Sequence, residues 1–153
     1  MNSECLRIAD QLRRAFDGKA WHGLSLRELL SDVQATQAHA HPISGAHSIW
    51  ELVLHIDVWT RAALGATQGQ AMAKIVGTAE DWQLVAEASP EAWNGAVERL
   101  FQVKDQLAAA IEQFGDGRLT ETVPGRQYDF YYLFHGIVQH SLYHAGQIAL
   151  LKK

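Results

Sequence analysis

Apolar residues recur every three or four positions along most of the chain, which is the spacing of an amphipathic helix. The first such segment covers residues 3–17, and Gly18 follows it as a stop. A capping-box pattern formed by Ser25 and Glu28 then predicts a shorter helix, which fades towards Pro42. The first part of the chain is therefore expected to hold one long helix and one short helix.

Three more long helices are predicted further along. Ser48 and Glu51 form a second capping box, and the helix behind them runs to about Leu64, with Gly65 as its end. The third long helix begins with Ser89 as N-cap and Pro90 in its first turn.

The third long helix keeps an apolar face as far as Phe114, and Gly115 closes it. A glycine-rich loop over residues 115–127 follows, and the last helix starts near Tyr128 and continues almost to Lys153.

These elements predict an all-α fold, a four-helix bundle with one short extra helix, because no strand pattern competes with the helical spacing. The connection over residues 66–89 is unusually long for a compact domain. Such a crossover lets the second and third long helices run parallel, so we expect up-down-down-up order. The length of 153 residues fits a single domain over residues 1–153.

Composition narrows the classes of function. A net charge of −4 and the lack of any extended basic cluster argue against nucleic-acid binding. The lone cysteine, Cys5, excludes an intrachain disulfide and a thiolate zinc cluster, and is expected to be a small apolar residue. We expect no signal peptide and no membrane-spanning segment, which makes the cytoplasm the default location.

The candidate chemistry lies in the last helix. His140 and His144 are separated by one helical turn, so their rings differ in direction by only about 40°. They share the apolar face with Leu133 and Ile137. A pair at this spacing can hold one metal ion, but the pair alone is weak support, because Ser141 stands where metalloproteases of the His-Glu-x-x-His type have glutamate.

A third histidine, His55, lies on the apolar face of the second long helix, one turn before Trp59. If the two helices are neighbours, His55 meets His140 and His144 inside the bundle, where such folds build metal sites. Three unrelated core histidines are the alternative, and spacing alone leaves the two nearly even. An all-imidazole site suits zinc, nickel, iron or copper.

Two stretches carry a resemblance to a known family. Residues 49–55 and 135–148, the second ending in His-x-x-x-His-x-Gly-Gln-Ile, look like the signature stretches of the DinB-like metal-binding four-helix bundles. The resemblance implies an up-down-down-up bundle, frequent homodimers and a divalent metal ion, zinc or nickel foremost, held by residues matched here by His55, His140 and His144. It extends over nearly the whole chain.

The resemblance specifies the metal-binding residues better than it specifies the reaction. It implies a metal-dependent enzyme, above all a thiol-dependent S-transferase using bacillithiol, mycothiol or glutathione, or a related hydrolase or isomerase. Thiol transfer and hydrolysis differ in which nucleophile occupies the open position on the ion. A non-catalytic metal- or ligand-binding bundle and an interaction module without metal are the other classes, and a small-molecule substrate is the partner expected of an enzyme.

Other residues near the site have two interpretations each. Glu51 is a general base, a fourth ligand or a hydrogen-bond acceptor behind the ligands, or else the capping partner of Ser48, which we favour. Gln147 orients a ligand or water, or bonds a neighbouring helix. Trp59 and Tyr143 are expected to wall the site.

The remaining expectations concern the surface. His135 points away from His140 on its helix and is expected at the surface or an interface, and the histidines in or near loops are expected to be solvated: His22, His39, His41 and His47. A cluster of aromatic residues opens the last helix and carries more apolar surface than one bundle face buries, which favours a homodimer interface there: Phe130, Tyr131, Tyr132 and Phe134.

Overall fold

A computed structural model describes residues 3–153, which form helices joined by irregular segments. The α-helices in chain order are α1 (Glu4–Asp17), α2 (Leu26–Leu30), α3 (Ala35–His39), α4 (Ile49–Thr67), α5 (Pro90–Phe114) and α6 (Phe130–Leu151), with a 3₁₀ turn at Asp116–Arg118. No strand forms among residues 3–153, where a single isolated bridge joins Thr122 to Asp129. The predicted all-α class is therefore confirmed.

The four long helices pack around one apolar core. Helix α4 contacts α5 and α6, and α1 contacts the same two helices from the other side. Trp50 and Trp93, both near the start of their helices, have ring centroids 5.2 Å apart. Asp116, just after α5, accepts a hydrogen bond from the backbone N–H of Cys5 at 2.9 Å, which joins the end of α5 to the start of α1.

The predicted caps form. Ser25 with Glu28 and Ser48 with Glu51 make complete capping boxes, and Ser89 accepts a hydrogen bond from the N–H of Ala92. Each cap satisfies backbone donors that the first turn of a helix leaves without partners.

Two expectations about helix bounds were wrong. The short helix is in fact two, because the backbone becomes extended at Gln34, and α3 starts after it. Helix α4 passes Gly65 and ends at Thr67. Gly65 lies within the last turn, where its backbone oxygen accepts from the N–H groups of Gln68 and Gln70, each at 3.0 Å, as the chain folds back onto the helix end.

The crossover between α4 and α5, residues 68–89, has no helix and lies against the bundle. Met72 and Ile75 are buried in it, and the N–H of Met72 donates to the backbone oxygen of Pro124 at 2.9 Å. Gly125 permits this contact, since its φ of 78° is left-handed and a Cβ atom would lie 3.1 Å from the Met72 oxygen. The crossover is thus anchored on the loop that precedes α6.

The aromatic start of α6 is divided between core and surface. Phe130 and Phe134 are buried against Phe114 of the same chain, whereas Tyr131 and Tyr132 are exposed. The expectation was that some of these side chains lie at the centre of a homodimer interface. The two phenylalanines are covered within their own chain and are not free for that role. None of the helices over residues 3–153 is long and apolar enough to cross a membrane.

Candidate metal centre

Three histidine side chains meet between α4 and α6. Nε2 of His140 lies 3.0 Å from Nε2 of His55 and 3.0 Å from Nε2 of His144. The three candidate ligand atoms all lie within 4.8 Å of one another. Ligands at about 2.0–2.1 Å from one ion, with angles of about 90–110° between them, are about 2.9–3.4 Å apart. The two 3.0 Å distances from His140 are therefore those of ligands around a single ion.

Hydrogen bonds behind the rings hold two of these histidines in place. Nδ1 of His55 donates to the backbone oxygen of Asp81 at 2.8 Å, and Nδ1 of His144 donates to Oε1 of Gln147 at 2.6 Å. A neutral imidazole has one N–H, so a ring that donates from Nδ1 has a free lone pair on Nε2. Both lone pairs are directed at His140. Acceptors behind metal-binding histidines fix tautomer and orientation in the same way.

Protein atoms alone leave this cluster incompletely satisfied. A proton on Nε2 of His140 can be donated to Nε2 of His55 or to Nε2 of His144, but not to both, which leaves the Nε2 lone pair of the other histidine without a donor. Nδ1 of His140 is also buried, and no hydrogen-bond partner for it occurs within residues 3–153. A cation at the meeting point of the Nε2 atoms would satisfy all three nitrogens. The donor set therefore fits a metal ion.

Electrostatics keep the rings neutral. Burial, assisted by the neighbouring His144 and His55, lowers the pKa of His140 to about 3. Burial likewise lowers the pKa of His55 and of His144. Because only a neutral imidazole has a free lone pair, the three rings are ready to ligate at neutral pH.

The crossover supplies part of the site. Besides the backbone contact to His55, the carboxylate of Asp81 accepts a hydrogen bond from Nε1 of Trp59 at 3.2 Å. Trp82 lies flat between two histidines, 3.9 Å from the ring of His55 and 3.5 Å from that of His47. The sequence pattern of residues 66–89 predicted only a long connection and did not mark these positions as part of the site. The sequence feature that could have pointed to them is a tryptophan next to an acidic residue in a connection that has little other hydrophobic pattern.

The capping box at the start of α4 sets the position of the Glu51 side chain. Its Oε2 accepts hydrogen bonds from the Ser48 N–H at 2.8 Å and lies near His41 and His47. Although partial burial raises the pKa of Glu51, the bonds from Ser48 and His41 outweigh it and lower that pKa. The carboxylate is thus an ionised capping group, and it is not part of the three-histidine cluster. Gln147, by contrast, contacts a candidate ligand directly.

A cavity of about 390 Å³ opens beside the histidines. Trp59 and Tyr143 line it, as expected from the sequence, while Leu133 and Ile137 are buried in its wall. Residues from α4, the crossover, the loop before α6 and α6 complete the lining: His55, Val76, Asp81, Tyr128, Tyr132, Gly136, His140 and His144. The cavity leads from solvent to the meeting point of the Nε2 atoms.

The other histidines lie outside the cluster. His135 is partly exposed, with Nε2 at 3.9 Å from a carboxylate oxygen of Glu4. His39 is the exposed last residue of helix α3, next to a loop, and His47 is covered on one face by Trp82. Cys5 is buried, and burial with the nearby Asp116 carboxylate raises the pKa of its thiol to about 11, which suits the expected inert role.

Comparison with known proteins identifies a family. The family model described as DinB superfamily matches residues 21–148, which include all three histidines of the cluster. No curated protein and no solved structure matches the sequence.

Proposed function

Because the chain belongs to the DinB superfamily, we propose that it is a metal-dependent enzyme that binds a divalent ion through His55, His140 and His144. The reaction we propose is thiol-dependent S-transfer, with metal-dependent hydrolysis as the related activity. The observation that carries the proposal is the convergence of Nε2 atoms that no set of protein hydrogen bonds satisfies. Zinc or nickel suits this all-imidazole set best, and iron or copper is compatible with it.

Three neutral ligands leave the whole charge of the ion available. A bound divalent ion would supply the positive charge that favours a deprotonated thiol or water beside it. In S-transfer the thiol sulfur forms a bond to an electrophilic carbon of the acceptor, and the leaving group departs with the electron pair of the bond that breaks. The thiol proton passes to solvent or to the leaving group.

The chain's own residues have three tasks in this proposal. The Asp81 backbone oxygen and Gln147 keep His55 and His144 in the orientation that presents Nε2. Trp82 covers one face of His55 and limits access of water from that side. The cavity beside the histidines gives the acceptor a route to the site from the side of Trp59 and Tyr143.

A non-catalytic metal- or ligand-binding bundle is the second candidate. It is favoured by the lack of a free acid or base in the cavity lining within residues 3–153. Asp81, the carboxylate that lines the cavity, is engaged with Trp59, and Glu51 is engaged in its cap. Thiol transfer needs less general-base assistance than hydrolysis when an ion acidifies the thiol, which is why we place it first.

The architecture we propose is one DinB-like domain over residues 1–153 in up-down-down-up order. The contact of Trp50 with Trp93, at the starts of α4 and α5, supports a parallel pair. The contact of Cys5 with Asp116 supports antiparallel α1 and α5. We also propose a homodimer, supported by the exposed Tyr131 on α6, which lies outside the cavity with its ring 4.5 Å from that of His135.

Turnover distinguishes the two candidates. Zinc-loaded and nickel-loaded protein would be incubated with a low-molecular-weight thiol and a panel of alkyl halides, epoxides and activated alkenes, and separately with esters. We expect thioether formation that a chelator abolishes and that His55→Ala lacks, whereas His39→Ala, outside the cluster, retains it. Metal-loaded protein with no activity on either panel would favour the binding module.

A further inference from the structure

The cavity beside the three histidines is almost free of charge. Within residues 3–153 its lining includes no lysine and no arginine, and Asp81 is its one carboxylate. Oδ1 of Asp81 accepts from Nε1 of Trp59 at 3.2 Å, and Oδ2 faces the N–H of Gly77 at 3.4 Å. The single charge in the lining is therefore negative, buried and already hydrogen-bonded.

The walls of the cavity are apolar and largely aromatic. Leu133 and Ile137 form a buried floor on α6. The rings of Tyr128 and Tyr132 lie 5.2 Å apart at a tilt of 47°, and the indole of Trp59 lines the cavity from α4. Tilted and stacked rings at such distances favour flat aromatic ligands, and phenol hydroxyls provide hydrogen bonds that carry no charge.

We infer that the part of the acceptor substrate that packs against these walls, away from the histidines, is a neutral, mostly apolar, aromatic group that carries no carboxylate or phosphate. The inference rests on the proposed function only in calling the ligand a substrate. An anionic group in the cavity loses its hydration, meets no cationic side chain and lies near the Asp81 carboxylate. A neutral ring instead replaces water on apolar surface.

The same reasoning restricts how a thiol co-substrate binds. Carboxylates of a peptide-like thiol find no cation in the lining, so only the thiol end reaches the histidines and the charged groups stay outside the mouth. The large lining side chains that are exposed to solvent, and so mark the mouth, are Val76, Tyr132 and Tyr143 at 60%, 66% and 67%.

Three probes with the same ring test this inference: 2-naphthylmethanol, its phosphate monoester and 2-naphthylmethylammonium. Their dissociation constants would be measured by titration calorimetry on the full chain after chelator treatment, because a bound ion would itself attract the phosphate. We expect the neutral probe to bind at least about tenfold more tightly than the phosphate, since even 1.4 kcal/mol of uncompensated desolvation has that effect.

A matched pair of variants locates the effect. Tyr132→Arg adds the missing cation at the mouth, and Tyr131→Arg adds the same charge on the adjacent residue, which does not line the cavity. Both side chains are exposed, so neither change removes core packing. Tyr132→Arg should tighten binding of the phosphate at least about threefold, and Tyr131→Arg should leave it within about a factor of two of wild type.

The outcomes separate this inference from the proposed reaction. Preference for the neutral probe, with the Tyr132→Arg effect, supports the inference even if no turnover is ever observed. Equal or tighter binding of the phosphate to the metal-free wild type overturns it, as does failure of the neutral probe to bind at millimolar concentration. An equal gain of phosphate binding in the two arginine variants also overturns it, because the charge would then act from outside the cavity.

Discussion

His55 and Asp81 are joined by a hydrogen bond although 26 residues separate them in the chain: Nδ1 of His55 lies 2.8 Å from the backbone oxygen of Asp81. The bond connects the middle of α4 to the crossover that follows it. The segment that reverses the path of the chain therefore also orients one of the three histidines.

The side chain of Asp81 should matter through this bond. Asp81→Ala removes the acceptor for Nε1 of Trp59 and loosens the crossover, so we expect zinc affinity to fall about 10- to 100-fold. Asp81→Asn keeps an oxygen acceptor and should recover most of the loss, while Glu80→Ala at the exposed neighbouring acid should have no effect. Competition with a chromophoric chelator measures all three. Wild-type affinity in Asp81→Ala would show that the Asp81 side chain does not help to position His55.

Gln147 is expected to act in the same way on His144. Gln147→Leu removes the acceptor at 2.6 Å from Nδ1, which frees the ring to rotate and to change tautomer, and should weaken zinc binding about tenfold. Gln147→Glu retains an acceptor oxygen and should bind zinc at least as tightly as wild type. Gln139→Ala, an exposed glutamine on the same helix, is the control. Equal affinities for Gln147→Leu and Gln139→Ala would show that this contact does not position the ligand.

The histidine cluster should make the metal-free protein sensitive to acid. Burial lowers the pKa of His140 to about 3, whereas an unfolded histidine titrates near 6.5. Between these values the unfolded chain binds more protons, so the free energy of unfolding is highest above pH 6.5 and declines as the pH falls towards 3. For His140 alone the loss at pH 5 is about 1–2 kcal/mol.

Urea denaturation at pH 7 and pH 5 measures this loss. His140→Leu should reduce the pH dependence, because it removes the titrating group, and His135→Leu on the other side of α6 serves as the matched control. If wild type and His140→Leu lose the same free energy between the two pH values, the lowered pKa of His140 is not responsible.

A bound ion should act as a cross-link between α4 and α6. His140 and His144 share one helix, whereas His55 joins them only when the helices pack. Binding to the folded state alone raises its stability by about 2.7 kcal/mol at one hundred times the dissociation constant. Thermal melts with and without chelator should show this shift in wild type and little of it in His55→Ala, which should remain folded. If protein that is shown to hold metal melts at the same temperature with and without chelator, the ion does not act as a cross-link.

Local patterns predicted the helices well because caps and apolar spacing are properties of a few adjacent residues. Ser25 and Ser48 form the predicted capping boxes, and α5 begins and ends where its Ser89 and Gly115 suggest. Gly65 was misjudged as a stop, because its role depends on Gln70 folding back, a contact that spacing does not show.

The site was predictable in part for the same reason. Helical spacing puts His140 and His144 on one face, and His55 on the apolar face of its own helix, so the cluster could be anticipated if the helices are neighbours. Asp81 and Trp82 could not, because their positions depend on the path of an irregular segment fixed by contacts such as Met72 to Pro124. The positions of residues on amphipathic helices could be predicted from the sequence, whereas the positions of residues in an irregular loop could not.

The proposed function depends on the binding of one divalent ion by His55, His140 and His144 together. Its most direct test is the zinc stoichiometry and affinity of tag-free, chelator-treated protein, measured by titration calorimetry at pH 7.5 for wild type, His140→Ala and His135→Ala. We expect one ion per chain for wild type and for His135→Ala, and at least about a hundredfold weaker binding for His140→Ala. Equal binding by His140→Ala and wild type, or no binding by wild type at all, would contradict the account.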